Sequence, residues 1–213
     1  MSDDLTGVPW SSGTWLNPPV AADEQPDGSL TVTAARGSDF WRTTSYGFVH
    51  DDGHALLAPL PPESAVEVDV LLDLDQTFDQ AGVMVRVDER TWVKAAVEHS
   101  DGQLWVGAVV TREVSDWSVA PVPHWHGRVA TIRVSRSGDA LTVRARPLGG
   151  SWQLVRVAPL APDADAMAGP LACAPTRDGL RVRFERWATG PADAALHEHD
   201  DADDHDDTDE AGA

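Results

Sequence analysis

The chain has 213 residues, 42% of them apolar, which suffices for one large all-β domain or two small ones. Acids outnumber bases 35 to 16, a formal charge of -19, and residues 191–213 hold ten of the acids and no Lys or Arg. Such a field repels phosphate backbones and anionic lipid surfaces, so neither nucleic acid nor a membrane is an expected partner.

The first residues, MSDDLTGVPW, lack the apolar stretch of a signal peptide, and no apolar run approaches the ~20 residues needed to span a bilayer. A cytoplasmic location is expected. In chain order, the first marked features are Trp15-Leu16-Asn17-Pro18-Pro19, then Asp39-Phe40-Trp41 and Tyr46-Gly47-Phe48. The stretch 59–62 (PLPP) is short, lies between apolar strands, and reads as a loop within one domain.

From there, period-two alternation dominates. Residues 64–74 put Val66, Val68, Val70, Leu72 and Leu74 on one face. Residues 81–87 do the same with Ala81, Val83, Val85 and Val87. Residues 91–99 turn Val93, Ala95 and Val97 inward. Residues 104–111 are apolar on both faces, as in a central strand covered on both sides. Residues 128–135 and 140–146 predict a hairpin with a glycine-containing turn. Residues 153–157, 168–174 and 180–189 complete the strands, and 162–167 is the one helical hint. Cys173, in the apolar run 169–174, is expected to be a buried, inert thiol, and as the only cysteine it excludes an intrachain disulfide.

A dozen short strands with little helix predict one all-β sandwich of two antiparallel sheets over residues 1–190. Residues 191–213, acidic and His-containing, predict a disordered tail. Its imidazoles and carboxylates suit divalent cations, yet the spacing matches no closed metal loop, so no metal site is assigned.

Four clusters carry the polar chemistry: Asp39-Phe40-Trp41, Asp79-Gln80-Ala81-Gly82, Trp92-x-Lys94-x-x-x-Glu98 and Ser115-Asp116-Trp117-Ser118. In this order, with the opening Trp15–Pro19 and the late Gly169-Pro170 and Ala174-Pro175, the chain resembles the regulation-of-enolase protein family. The resemblance spans about residues 15 to 187 and implies a concanavalin A-like jelly-roll sandwich with no established general activity. The acidic tail lies outside the family pattern.

The residues themselves point to a shared surface. With Val93, Ala95 and Val97 inward, Trp92, Lys94, Ala96 and Glu98 face outward together. Lys94 and Glu98 are ~13 Å apart along the strand, too far to pair, so their partners come from neighbouring strands or a ligand. An indole beside opposite charges suits a sugar-like ligand. The expected ligand-binding residues are Asp39, Trp41, Gln80, Trp92, Lys94, Glu98, Asp116 and Trp117. As outward residues, Lys94 and Glu98 are expected to be replaceable at little cost in stability.

A glycoside-active enzyme is the alternative, with Glu98 acting beside Asp79 or Asp116. The pair Glu67 and Asp69, ~6.6 Å apart on one face, superficially fits glycosidase spacing, but the next same-face position is Leu71, and these acids read as a solvated face. His124-Trp125-His126 offers two imidazoles and no third ligand. No cofactor is expected. The family name adds a regulatory protein partner as a further alternative.

Overall fold

The computed structural model describes residues 4–197. Short β-prone runs punctuated by Gly, Asp and Pro leave helix little room. Among the described residues only two single turns of 3₁₀ helix occur, at Trp10–Ser12 and Pro123–Trp125. The strands in chain order are β1 (Thr6–Gly7), β2 (Thr14–Leu16), β3 (Ala21–Glu24), β4 (Leu30–Thr33), β5 (Phe40–Arg42), β6 (Val49–Asp51), β7 (His54–Pro59), β8 (Ser64–Leu71) and β9 (Gln80–Arg86). They continue with β10 (Thr91–Ser100), β11 (Gln103–Arg112), β12 (Val114–Pro121), β13 (Val129–Ser137), β14 (Ala140–Pro147), β15 (Gln153–Pro159), β16 (Met167–Cys173) and β17 (Arg181–Pro191).

Two antiparallel sheets face each other. One runs β15-β14-β13-β8-β17-β4-β3, with β1 also paired to β17; the other runs β12-β11-β10-β9-β16-β7-β2. The two-sheet sandwich expected from the alternation, in the jelly-roll form implied by the family resemblance, is therefore present. Val66, Val68 and Val70 of β8, followed by Leu72 and Leu74, meet Val83, Val85, Val93, Ala95 and Val97 of β9 and β10 in one core. β13 and β14 are joined by Gly138-Asp139 alone, with Gly138 at φ +53°, where glycine carries no Cβ penalty. The helical hint at 162–167 fails. Backbone there is tied by Leu60 N–H to Ala166 O (2.8 Å), and Met167 already begins β16.

At its centre the outer face of the eight-stranded sheet is not solvated, contrary to the reading of Glu67 and Asp69. Both are buried. The Arg133 guanidinium donates to Glu67 (3.0 Å), and Arg186 donates to Glu67 (2.8 Å) and Asp69 (2.7 Å). Thr131 Oγ1 donates to Asp69 at 2.6 Å. Cross-strand register places these partners opposite one another: Arg133 beside Glu67, Thr131 and Arg186 beside Asp69. Alternation in the sequence separates the two faces of a strand but does not say which face gains a cover of arginine.

The same arginine–carboxylate network also holds the segment after β17. Asp193 pairs with Arg133 (2.8 Å) and Arg144, and its backbone N–H donates to Ser135 Oγ at 2.8 Å. Arg133 Nη2 donates to Pro191 O, and Arg144 Nη2 to Leu196 O, both at 2.8 Å. The stretch expected to be free from residue 191 is thus fastened to the body through its first residues; residues 198–213 of that expected tail lie outside the described residues.

Breaking a buried pair leaves its partner charge uncompensated, at about 3–5 kcal/mol. Asp193→Ala should therefore lower the urea midpoint markedly, and a chain ended at Gly190 should lose at least as much. A midpoint unchanged in both variants would show that the segment is not held.

Candidate functional site

The outer face of the seven-stranded sheet is apolar as well. Met84, Trp92, Ala96, Val109, Leu171 and Cys173 pack there in a second, smaller core. Bare, that face would expose a large apolar patch. The β5–β6 hairpin covers part of it, inserting Phe40 and Trp41. Arg86 clamps Asp51 with two bonds of 2.6 and 2.8 Å. Arg42 donates its backbone N–H to Ser115 Oγ (2.9 Å) and its Nε to Glu113 O (3.1 Å). Under the hairpin, Lys94 Nζ donates to Asp39 Oδ1 (2.8 Å), Phe40 O (3.0 Å) and Gln80 Oε1 (2.7 Å).

Where the hairpin stops short of covering the sheet, a pocket of about 330 Å³ opens. Its floor is Gln80, Lys94, Glu98 and Val109; its walls are Trp41, Tyr46, Phe48 and His50 from the hairpin, Trp117 from β12, and Phe78, Pro175 and Thr176 from loops. Asp39 and Gly37 complete it. Trp41 meets Trp117 at 89° with centroids 6.3 Å apart, and meets Tyr46 at 70° and 5.5 Å. Tyr46 stacks on Phe48 at 5.3 Å, and Phe48 meets His50 edge-on at 5.0 Å.

Beside the floor, β9, β10 and β11 carry small residues in one row. Ala96 lies opposite Gly82 on one side and Gly107 on the other. A Cβ at Gly82 would run into the Ala95 carbonyl oxygen, so the strands could not approach as they do. Phe78, at the pocket lip, is held at φ +67°, and Thr43 and Ser45 in the hairpin loop at +66° and +65°. Such conformations in non-glycine residues cost roughly 1–3 kcal/mol each and persist only where the surroundings impose them.

Electrostatics divide the polar groups into holders and presenters. An ammonium has three hydrogens, and Lys94 gives all three to protein. Because it only donates, it fixes the Gln80 amide with Oε1 toward itself, which leaves Nε2 as the donor with no protein partner among the described residues. Asp39 accepts from Lys94 and from Phe40 N–H through Oδ1, leaving Oδ2 toward the pocket. Burial pulls the Lys94 ammonium down most strongly, but Asp39, Cys173 and Glu98 together oppose it, and the net direction is up. Glu98 is different. Burial pushes it from 4.5 to about 7; the Lys94 charge opposes this, the Asp39 charge adds to it and Ser100 opposes it again. Its Oε1 is buried with no hydrogen-bond partner. Burial pushes the Cys173 thiol far up, so it stays protonated.

Of the residues expected here, Asp39, Trp41, Gln80, Lys94, Glu98 and Trp117 line the pocket. Trp92 does not. It faces outward as expected, but lies beneath Phe40 (5.9 Å between rings) in the second core, with its indole N–H unpartnered. Asp116 does not either: it precedes Trp117 on a strand, points to the opposite side, and pairs with Arg156 at 2.8 Å. Asp79, the other partner suggested for Glu98, caps the N–H groups of Asp75 and Gln76 and lies 3.1 Å from Arg177 Nε. Tyr46, Phe48 and His50 were absent from the expected set, although their i, i+2, i+4 spacing signals one shared face. Trp125 of the His124-Trp125-His126 segment is fully buried, its Nε1 donating to His124 Nε2 at 3.1 Å. Among the described residues no three His, Cys, Asp or Glu side chains gather as a metal site.

Two antiparallel sheets with a pocket on one outer face define a concanavalin A-like β-sandwich protein. The chain belongs to the family described as "Protein of unknown function (DUF1349)", whose model matches residues 15–192. It is 38% identical over 189 residues to Regulation of enolase protein 1 of Saccharomyces cerevisiae, spanning 88% of this chain and 94% of that protein. It also resembles the crystal structure of a functionally unknown protein from Saccharomyces cerevisiae, with TM-score 0.80, 36% identity, and coverage of 86% of this chain and 98% of that one. The fold alone is shared with a xylan beta-1,4-xylosidase from Bacillus halodurans C-125 (TM-score 0.63, 13% identity), of which the match covers 39% and of this chain 89%. No helix among the described residues is long and apolar enough to cross a membrane.

Two substitutions test the floor. Lys94→Met keeps the volume and strands the Asp39 charge, so the outward position expected to tolerate change should instead lose about 3–5 kcal/mol. Adding Asp39→Asn should restore part of the loss; a single variant melting within two degrees of the parent would contradict this. Glu98→Gln should do the reverse. A carboxyl whose folded pKa is raised holds its proton longer in the folded state, so its stability contribution is full below about pH 4.5 and falls away as pH rises to about 7. The variant should therefore gain over the parent between those values, by at most about 3 kcal/mol, and the gap should stay constant above. Melting curves from pH 4 to 9 that run parallel would refute the shift.

Proposed function

We propose that this protein is a binding module and that its pocket takes one small, carbohydrate-like ligand. The observation that carries the reading is the combination in one pocket of aromatic walls with fixed polar groups. Trp41 and Trp117 supply apolar surface for the C–H faces of a sugar ring. Asp39 Oδ2, Gln80 Nε2 and Glu98 supply acceptors and donors for hydroxyls, held in place before the ligand arrives. The location is cytoplasmic in this reading, with no cofactor, nucleic acid or membrane involved.

Two other roles have specific support. Glu98, near neutrality in its proton affinity and sharing the pocket with Asp39, favours a glycoside-active enzyme with Asp39, rather than Asp79 or Asp116, as the second carboxylate. In that case Glu98→Gln should abolish turnover of a chromogenic glycoside without weakening its binding. The name of the yeast relative favours a regulatory protein partner.

A glycan array followed by calorimetry tests the main reading. Trp117 is 40% exposed, so Trp117→Ala should leave the fold intact. It should weaken the captured glycan roughly tenfold to a hundredfold, as truncation of an aromatic anchor does. Unchanged affinity with an unchanged melting temperature would place the ligand elsewhere.

A further inference from the structure

The charge around the pocket narrows the ligand further. Its ionisable lining groups are Asp39, Glu98, Lys94, His50 and Tyr46. Lys94 has no hydrogen left for a ligand, since all three go to Asp39, Phe40 O and Gln80. His50 turns Nδ1 to Asp52, 3.2 Å away. The full positive charge on the floor is therefore already matched by Asp39, and Glu98 is left over. An ionised Glu98 next to a paired Lys94 and Asp39 gives the floor one unmatched negative charge. Its Oε1 is buried and has no hydrogen-bond partner, so it is free to accept from a ligand.

The walls agree in sign. The faces of aromatic rings attract cations, most strongly those of Trp, and Trp41, Tyr46 and Trp117 stand at steep angles to one another around the pocket. The whole chain carries -19, so its field draws cations and repels anions. An anionic sugar, a uronate or a sugar phosphate, would meet no free cation and one unmatched carboxylate.

Building on the carbohydrate-like reading, we infer that the ligand carries an ammonium group on a hydroxylated ring, as an amino sugar does. Glu98 receives the ammonium, Gln80 Nε2 and Asp39 Oδ2 take hydroxyls, and the indoles cover the ring. The arrangement also makes recognition depend on pH. Glu98 becomes a full counter-charge only as it loses its proton, around pH 7. Asp39 faces it from just before β5 and Lys94 from its own strand, and Ser100 and Asp101 follow it.

The test is calorimetry at pH 7.5 with matched sugars: glucosamine, galactosamine and mannosamine, their neutral parents glucose, galactose and mannose, glucuronate and galacturonate, and choline as a cation without a ring. At least one hexosamine should bind tenfold or more tighter than its parent, with uronates weaker than both. Glu98→Gln, which removes a buried charge and should not harm folding, should erase about tenfold of the hexosamine's advantage over its neutral parent. A neutral sugar or uronate binding as tightly as its hexosamine overturns the inference and leaves the carbohydrate reading standing. Choline binding as tightly as any hexosamine overturns the requirement for a hydroxylated ring. If nothing in the set binds, both the inference and the reading beneath it fail.

Discussion

The Lys94 ammonium, buried between the β5–β6 hairpin and the seven-stranded sheet, is the interaction on which the rest of the site depends. Burying a charge is unfavourable unless every hydrogen finds an acceptor and an opposite charge lies close. Asp39, Phe40 O and Gln80 meet both conditions. The same three bonds dock the hairpin, orient a carboxylate and fix an amide. The aromatic wall follows, because Trp41, Tyr46 and Phe48 ride on that hairpin. The sandwich core does not require the hairpin; the pocket does.

Legibility in the sequence followed the periodicity of single strands. Alternation in β8, β9 and β10 gave the correct inward faces, because a period of two leaves only two choices and the valines decide between them. It also put Lys94 and Glu98 on one outer face with Gln80 and Trp117 nearby. What it could not show was a cover over that face. Trp92, Met84 and Ala96 look like an outward, solvated set until Phe40, some fifty positions away, is seen lying on them. The same cause explains Glu67 and Asp69: their arginines sit on β13 and β17, and only the strand order brings them alongside. Asp116 was misplaced for a local reason, since neighbouring residues on a strand cannot share a face.

The fold and the site carry different information. A sandwich of this shape forms about two-fifths of a xylosidase with which it shares 13% identity, so the fold recurs where the sequence does not. The relatives of similar length and over a third identical in sequence are proteins described only by an association with enolase or by a structure of unknown function. The candidate site itself is marked by rings held at steep angles and by one carboxylate oxygen left without a partner.

The position of β17 bears on how such a molecule comes into being. It lies between β8 and β4 and also receives β1, so the last strand of the described chain is an interior strand of the eight-stranded sheet. Synthesis from the N-terminus delivers it last. Until Arg181–Pro191 is available, β3 and β4 have no sheet to join, β8 lacks one neighbour, and Glu67 and Asp69 lack Arg186. Closure across sequence-distant strands is slow, because chain entropy is lost before contacts compensate it. The eight-stranded sheet therefore closes in a step that waits for β17, rather than strand by strand in chain order.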